Sequence, residues 1–155
     1  MTNEDRVLLK NLLTTQRVLS LAVMVDGKPN LGLLPFAMTP DFSALLIQAS
    51  RLARHSRGLD DGAQFAALIH GPDTPEADAL QIARVSFEGE VHPVAADASG
   101  YAQLRDTYLG RFPQAEITFQ LGDFTLYELR IREGRLVGGF ARATNVTLAE
   151  LRQIK

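Results

Sequence analysis

The spacing of apolar positions changes several times along the chain, and each change predicts an element. Val7, Leu8, Leu12 and Leu13 recur at helical spacing behind a cap at Thr2 or Asn3, with Glu4 and Asp5 in the first turn, so the chain opens with a helix. After Gln16 the period falls to two: Leu19, Leu21, Val23 and Val25 alternate with Val18, Ser20, Ala22 and Met24. Both sets are largely apolar, which predicts a strand from Val18 to Val25 covered on both faces. Asp26-Gly27-Lys28-Pro29-Asn30 is turn chemistry, and Leu31 to Met38 reads as the returning strand, where Pro35 marks a bulge or an unpaired stretch.

Ala44 to Ala49 is predicted as a third strand that runs into a helix opening with Ser50-Arg51-Leu52-Ala53-Arg54-His55-Ser56-Arg57, with Leu52 and Leu59 toward the core. Gln64 to His70 is the fourth strand, Gly71 to Asp78 a loop, and Gln81 to Val94 a long strand. There Ala83, Val85, Phe87 and Val91 share one face, and Arg84, Ser86, Glu88, Glu90 and His92 the other. Asp97 to Leu109 is helical, with Gly110 and Pro113 ending it and a short helix following from Pro113 to Phe119. Phe124 to Arg132 returns to period two, Glu133-Gly134 reads as a hairpin turn into Arg135 to Phe140, and Thr147 with Glu150 forms a capping box for a last helix. Meandering strands broken by helices predict an α+β barrel in a single domain over residues 1–155, not an alternating parallel sheet.

Composition narrows the function classes. The chain has no cysteine, which excludes a disulfide framework, a thiolate metal site and a cysteine nucleophile. A net charge of −2 argues against a dedicated nucleic-acid binder. The apolar run from Val18 to Val25 is far below the ~20 residues that span a bilayer, and the acid-bearing start MTNEDRVLLK is no signal peptide. A cytoplasmic protein without membrane or nucleic-acid partners is expected. Of the 16 basic residues only Lys10, Lys28 and Lys155 are lysines, and the rest are arginines, whose planar fork suits phosphate and carboxylate.

Three places could carry chemistry. Ser50, Arg51, Arg54, His55 and Arg57 gather hydroxyl, guanidinium and imidazole groups at one strand-to-helix junction; they read either as a phosphate site or as a solvated basic face paired with Asp60 and Asp61. Arg84, beside Ser86 on the polar face of its strand, needs a partner, either a ligand or an acid on a neighbouring strand. Gly138-Gly139-Phe140 allows a close backbone approach with an aromatic cover, or is a bulge that turns the chain. His55, His70 and His92 show no metal-ligand spacing, and no nucleotide-loop or serine-elbow motif is present, so no metal is expected.

In order along the chain, VLSLAVMVDGKPNLGLLPFAM, ALLIQASRLARHSRGL, ARVSFEGEVHPV and YLGRFPQAEITFQLGDFTLYELRIREGRLVGGFARA resemble the FMN-binding split β-barrel proteins related to pyridoxamine 5′-phosphate oxidase, particularly the branch related to haem-utilisation proteins. The resemblance covers about Thr15 to Ala143. It implies a six-stranded antiparallel split β-barrel with flanking helices, forming a homodimer with a cofactor cleft at the subunit interface. It further implies that Ser50, Arg51, His55 and Arg57, with Arg54 among them, hold the FMN phosphate. By the same resemblance the backbone of Leu33, Leu34 and Pro35 runs along the flavin, Arg84 lies near its pyrimidine end, and Gly139 and Phe140 approach the cleft. Gly58 stands where the branch commonly has Asn, and the R-L-x-P-like ending of the oxidases is absent. The function implied is an FMN-dependent oxidoreductase acting on a small molecule. The alternatives are a haem-binding or haem-degrading protein and a non-catalytic flavin- or haem-binding module.

Overall fold

The first helix forms over Asn3–Thr15 (α1) because Thr2 and Asp5 close a reciprocal cap: the Asp5 N–H donates to Thr2 Oγ1 and the Thr2 N–H to Asp5 Oδ2, each at 3.1 Å. These and all following coordinates come from a computed structural model, which describes residues 1–139 and 141–154. The strands are Val18–Val25 (β1), Lys28–Met38 (β2), Ala44–Ser50 (β3), Gln64–His70 (β4), Arg84–Val94 (β5), Phe124–Gly139 (β6) and Arg142–Thr147 (β7). The remaining helices are Tyr101–Arg111 (α2), Glu116–Gln120 (α3) and Leu148–Ile154 (α4), the last opened by the expected pairing of Thr147 with Glu150.

The sheet order is β3-β2-β1-β4-β5-β6-β7, and a further β3–β6 pairing closes the first six strands into an antiparallel barrel with β7 outside it. This is the α+β barrel that the periodicity predicts, in the six-stranded split form that the resemblance implies. The interior holds the inward residues of every barrel strand, among them Leu21, Phe36, Ile47, Ile69, Phe87 and Leu129, all fully buried. A second, smaller cluster lies outside the barrel, where Leu46 and Leu126 pack under Tyr108 and Phe112 of the α2 segment. Arg111 fastens α2 to the end of α1 by donating to the carbonyls of Leu13 (2.9 Å), Thr14 (3.3 Å) and Gln16.

Several expectations are corrected. The segment after Ser50 is no α-helix but a turn followed by a 3₁₀ helix over Arg54–Gly58. The Ser50 hydroxyl captures the Leu52 N–H at 3.1 Å and the Ser50 carbonyl takes the Ala53 N–H, so helical phase is never established. Leu52 consequently points outward and is 87% exposed, while Leu59 is buried as expected. Glu133-Gly134 is not a hairpin: β6 passes straight through, and a Cβ on Gly134 would lie 2.6 Å from the Phe87 ring, so this glycine clears space for an aromatic side chain. The chain turns instead after Gly139 and adds β7, a strand the periodicity does not reveal. Phe140 lies outside the described residues. The fifth strand begins at Arg84 rather than Gln81, because Ala79–Gln81 forms a 3₁₀ turn capped by Asp78. The α2 helix spans Tyr101–Arg111, with Gly110 inside it.

Candidate functional site

Pro35 opens the barrel. β2 and β3 pair only from Phe36↔Ile47 to Met38↔Leu45, and Pro35, which has no N–H to offer, stands where the two strands part. Beyond that point β3 runs on alongside β6, ending with Ser50 opposite Phe124. The expected unpaired stretch at Pro35 is therefore present on the β3 side, while toward β1 it remains in register with Val18.

The strand-to-turn junction is tightly bonded to the segment before β6. Ser50 Oγ donates to Asp123 Oδ2 at 2.8 Å, the Arg51 N–H donates to the Asp123 carbonyl at 2.8 Å, and the Arg51 guanidinium donates to the Gly122 carbonyl at 2.8 Å. Ser56 Oγ donates back to the Ser50 carbonyl at 2.6 Å. Arg57 pairs with Asp26 at 2.8 Å in an exposed bridge of little energetic weight, not with Asp60 or Asp61. Arg54 is exposed and has no partner among the described residues. Three guanidinium groups thus occupy seven residues of chain at one rim of the barrel, with Asp26 and Asp123 as nearby counter-charges.

His55 faces the other way, under the β1–β2 hairpin. A Cβ on Gly32 would lie 2.6 Å from its Nδ1, so the glycine admits the ring. Its Nε2 is buried with no partner among the described residues, and burial pulls its pKa below the usual histidine value of 6.5. A neutral imidazole here is a hydrogen-bonding group rather than a cation.

Leu33 and Pro35 lie on the outer face of β2, whereas the Leu34 side chain is buried inside the barrel. Their neighbours build a bare apolar surface: the ladders Leu68–Ser20–Leu33 and Ala66–Ala22–Leu31 cross β4, β1 and β2, with Leu31 76% and Leu33 69% exposed. The sequence predicts cover on both faces of β1, and this chain by itself supplies it on one. A groove of about 280 Å³ lined by Ala22, Met24, Pro29 and Ala66 continues the surface.

Arg84 and Gly139 belong to a different part of the molecule. Arg84 opens β5 opposite His70 and Val137, donates to the Ile82 carbonyl at 3.0 Å, and has no acidic partner among the described residues. Gly139 has a φ of 140°, and a Cβ there would meet the Gln81 side chain at 3.6 Å. Both β3 and β5 pair with β6, but Ser50 lies opposite Phe124 and Arg84 opposite Val137, thirteen residues further along that strand, so one copy of the chain does not bring Arg84 to the arginine-rich rim. Sequence reasoning misses Gln48, which is 7% exposed on the outer side of β3 with its side-chain Nε2 unpaired among the described residues. Its only signal is a polar residue in the apolar run ALLIQA.

No family model matches the chain. It is similar to the heme oxygenase HutZ of Vibrio cholerae, 27% identical over 141 residues, 90% of this chain and 79% of the relative. The crystal structure of HutZ, described there as a heme storage protein, superposes with a TM-score of 0.71 at 24% identity, over 79% of this chain and 87% of the other. A protein of the pyridoxinephosphate oxidase family from Clostridium acetobutylicum, related to general stress protein 26, superposes with a TM-score of 0.69 at 13% identity over 97% and 99% of the two chains. The chain has the split-barrel fold of these proteins. A heme binding protein from Mycobacterium smegmatis shares this fold with a TM-score of 0.82 at 23% identity; the split barrel uses 99% of its own length there but 62% of the other chain. No helix of the described residues is long and apolar enough to cross a membrane.

A phosphate monoester fits the rim of this split barrel in charge and in donors. Arg54 is uncommitted, and Arg51 and Arg57 each keep guanidinium N–H groups beyond those already engaged. The adjoining bare strip at Leu31, Leu33 and Pro35 is the kind of surface a planar ring covers.

Proposed function

We propose that this split barrel binds FMN and works as a flavin-dependent oxidoreductase on a small molecule. The observation that carries the reading is the clustering of Arg51, Arg54 and Arg57 on one turn beside the apolar strip of β2. Three guanidinium groups so close in sequence suit a single compact dianion, and the strip suits the flat ring behind it. FMN, when bound, supplies the redox chemistry. This chain's own contribution is to hold the phosphate at the rim, present the β2 backbone to the ring and keep water from the apolar face.

A second copy of the chain completes the site in this reading. It covers Leu31, Leu33, Met24 and Leu68, which no element of the same chain covers, and it brings its own Arg84 toward a cleft that the first copy's Arg84 does not reach. A fixed cation at the ring's edge favours the negative charge that reduction places there.

Haem is the second reading, favoured by the names of HutZ and of the mycobacterial protein. His70 is the histidine that suits it. Its Nδ1 lies 2.7 Å from the Gly71 carbonyl, which can only accept, so in the neutral tautomer that makes this bond Nε2 is the free ligating nitrogen, at an exposed position. Both nitrogens of His92 instead face carboxylates, Asp61 at 2.9 Å and Glu90 at 3.9 Å.

Titration with FMN, riboflavin and haemin, followed by absorbance, decides among these. The flavin reading expects FMN to bind at least tenfold more tightly than riboflavin, since charge-assisted hydrogen bonds contribute about 1.5–3 kcal/mol each. Arg51→Ala with Arg54→Ala should abolish that difference. Equal affinity for FMN and riboflavin removes the phosphate from the rim. A Soret band with haemin that is lost in His70→Ala, in a protein indifferent to FMN, establishes the haem reading instead.

A further inference from the structure

Where β2 and β3 part, a cleft of about 240 Å³ opens toward α2 and α3. Pro35, Tyr108, Phe112 and Phe124 make its apolar walls, and Gln48, Thr118 and the exposed Gln114 are the polar groups that line it. One end of the Gln48 side-chain amide meets the Thr118 hydroxyl, which is also 2.8 Å from the Ala115 carbonyl. The other end is buried and unpaired among the described residues. Rotating the amide by half a turn exchanges its oxygen and nitrogen but still leaves one polar atom without a partner. A buried amide group left unpaired costs about 1–3 kcal/mol. Gln48 therefore carries a penalty that an apolar residue of the same size would avoid, at a position where the neighbouring Leu46 is apolar and fully buried. Tyr108 does not relieve it: its phenol, pushed up to about 12 by burial, makes no hydrogen bond to the Gln48 side chain among the described residues.

We infer that this cleft is a binding subsite for a single planar ring bearing a carboxamide, with the Gln48 side-chain amide as its hydrogen-bonding partner. Size sets the ring number. The volume lies below the roughly 300 Å³ at which clefts for drug-sized ligands begin, so it takes one substituted ring and not a fused three-ring system. The walls set the ring's character, because Tyr108, Phe112 and Phe124 offer aromatic surface for stacking or edge contact. The unpaired amide sets the substituent: a carboxamide carries both a donor and an acceptor and satisfies Gln48 in either orientation. The subsite borders Pro35 on one side and, through the Ser50↔Phe124 pair, the arginine-rich rim on the other. It would thus seat a second, smaller ligand beside the one proposed above, and it stands on Gln48 and the cleft rather than on the flavin reading.

Nicotinamide is the probe. Titrated into the ¹⁵N-labelled 155-residue chain, it should shift the Gln48 side-chain amide resonances saturably, and its ring protons should show contacts to Tyr108 and Phe112. Gln48→Leu should weaken binding roughly fivefold, the effect of one neutral hydrogen bond, with a melting temperature equal to or above that of the parent. Toluene, lacking the amide, should bind parent and variant alike. Saturating FMN should leave the nicotinamide shifts in place. Absence of a saturable shift in the unsubstituted protein overturns the inference, as does unchanged nicotinamide affinity in Gln48→Leu. A lower melting temperature with unchanged affinity makes Gln48 a purely structural residue. Displacement of nicotinamide by FMN assigns the cleft to the cofactor and overturns it too. Nicotinamide binding in a protein indifferent to FMN upholds the subsite while removing the flavin.

Discussion

On β3 and β6 the outward side chains Leu46 and Leu126 lie beneath Tyr108 and Phe112 and are as dry as the barrel interior. On β1, β2 and β4 the outward side chains Val18, Met24, Leu31, Leu33 and Leu68 are exposed, although they are no less apolar. The two outer faces belong to one continuous sheet, so strand geometry does not separate them. What separates them is the stretch between β5 and β6, which folds back as α2 and α3 over one side only. In the reading proposed above, a second copy of the chain covers the face left open.

Three measurements test that contrast. On the covered side Phe112→Ala should cost about 3–5 kcal/mol, because it empties a buried aromatic position. Its ring also contacts Tyr108 at 5.2 Å between centroids and lies 5.4 Å below the Arg17 guanidinium. Denaturant unfolding reads the loss directly, and a cost below ~1 kcal/mol would mean that α2 covers the barrel without stabilising it. On the open side Leu33→Asp should leave the stability of a single copy within about 0.5 kcal/mol, as for other exposed positions. Light scattering should nonetheless show its mass falling from that of a dimer to the 17.0 kDa of one chain. A parent protein that already runs as a single chain would break the comparison.

The smallest effect concerns His55, half-buried under the β1–β2 hairpin with its Nε2 inaccessible. Its folded pKa is lowered by burial, so the unfolded chain binds more protons just below pH 6.5. Stability from this group is therefore present above pH 6.5 and lost as the pH falls toward the folded value. Asp5, Asp41 and Glu150, whose values lie below the ordinary carboxylate range, act only at lower pH. Melting temperature should drop between pH 7 and about 5 in the parent, and less steeply in His55→Phe. Parallel curves would show that His55 protonates without cost.

Much of this was legible beforehand, for identifiable reasons. Period-two alternation places Val85, Phe87 and Val91 inside because side chains on a strand must alternate. The Thr147–Glu150 spacing predicts its cap because that bond is local. Pro35 marks the split because proline lacks an N–H wherever it stands. Gly134 reads as a turn in the sequence because a glycine that admits the Phe87 ring and one that bends the chain are the same letter. The sequence by itself determined which side chains face inward, where strands begin and end to within a few residues, and that an arginine-rich turn follows β3. Only the tertiary structure decided which outer face is covered, that Arg84 lies at the opposite end of β6 from that turn, and that Gln48 is left with an unpaired amide beside Thr118. Those three depend on which distant segments meet, and alternation along one strand carries no record of what lies across from it.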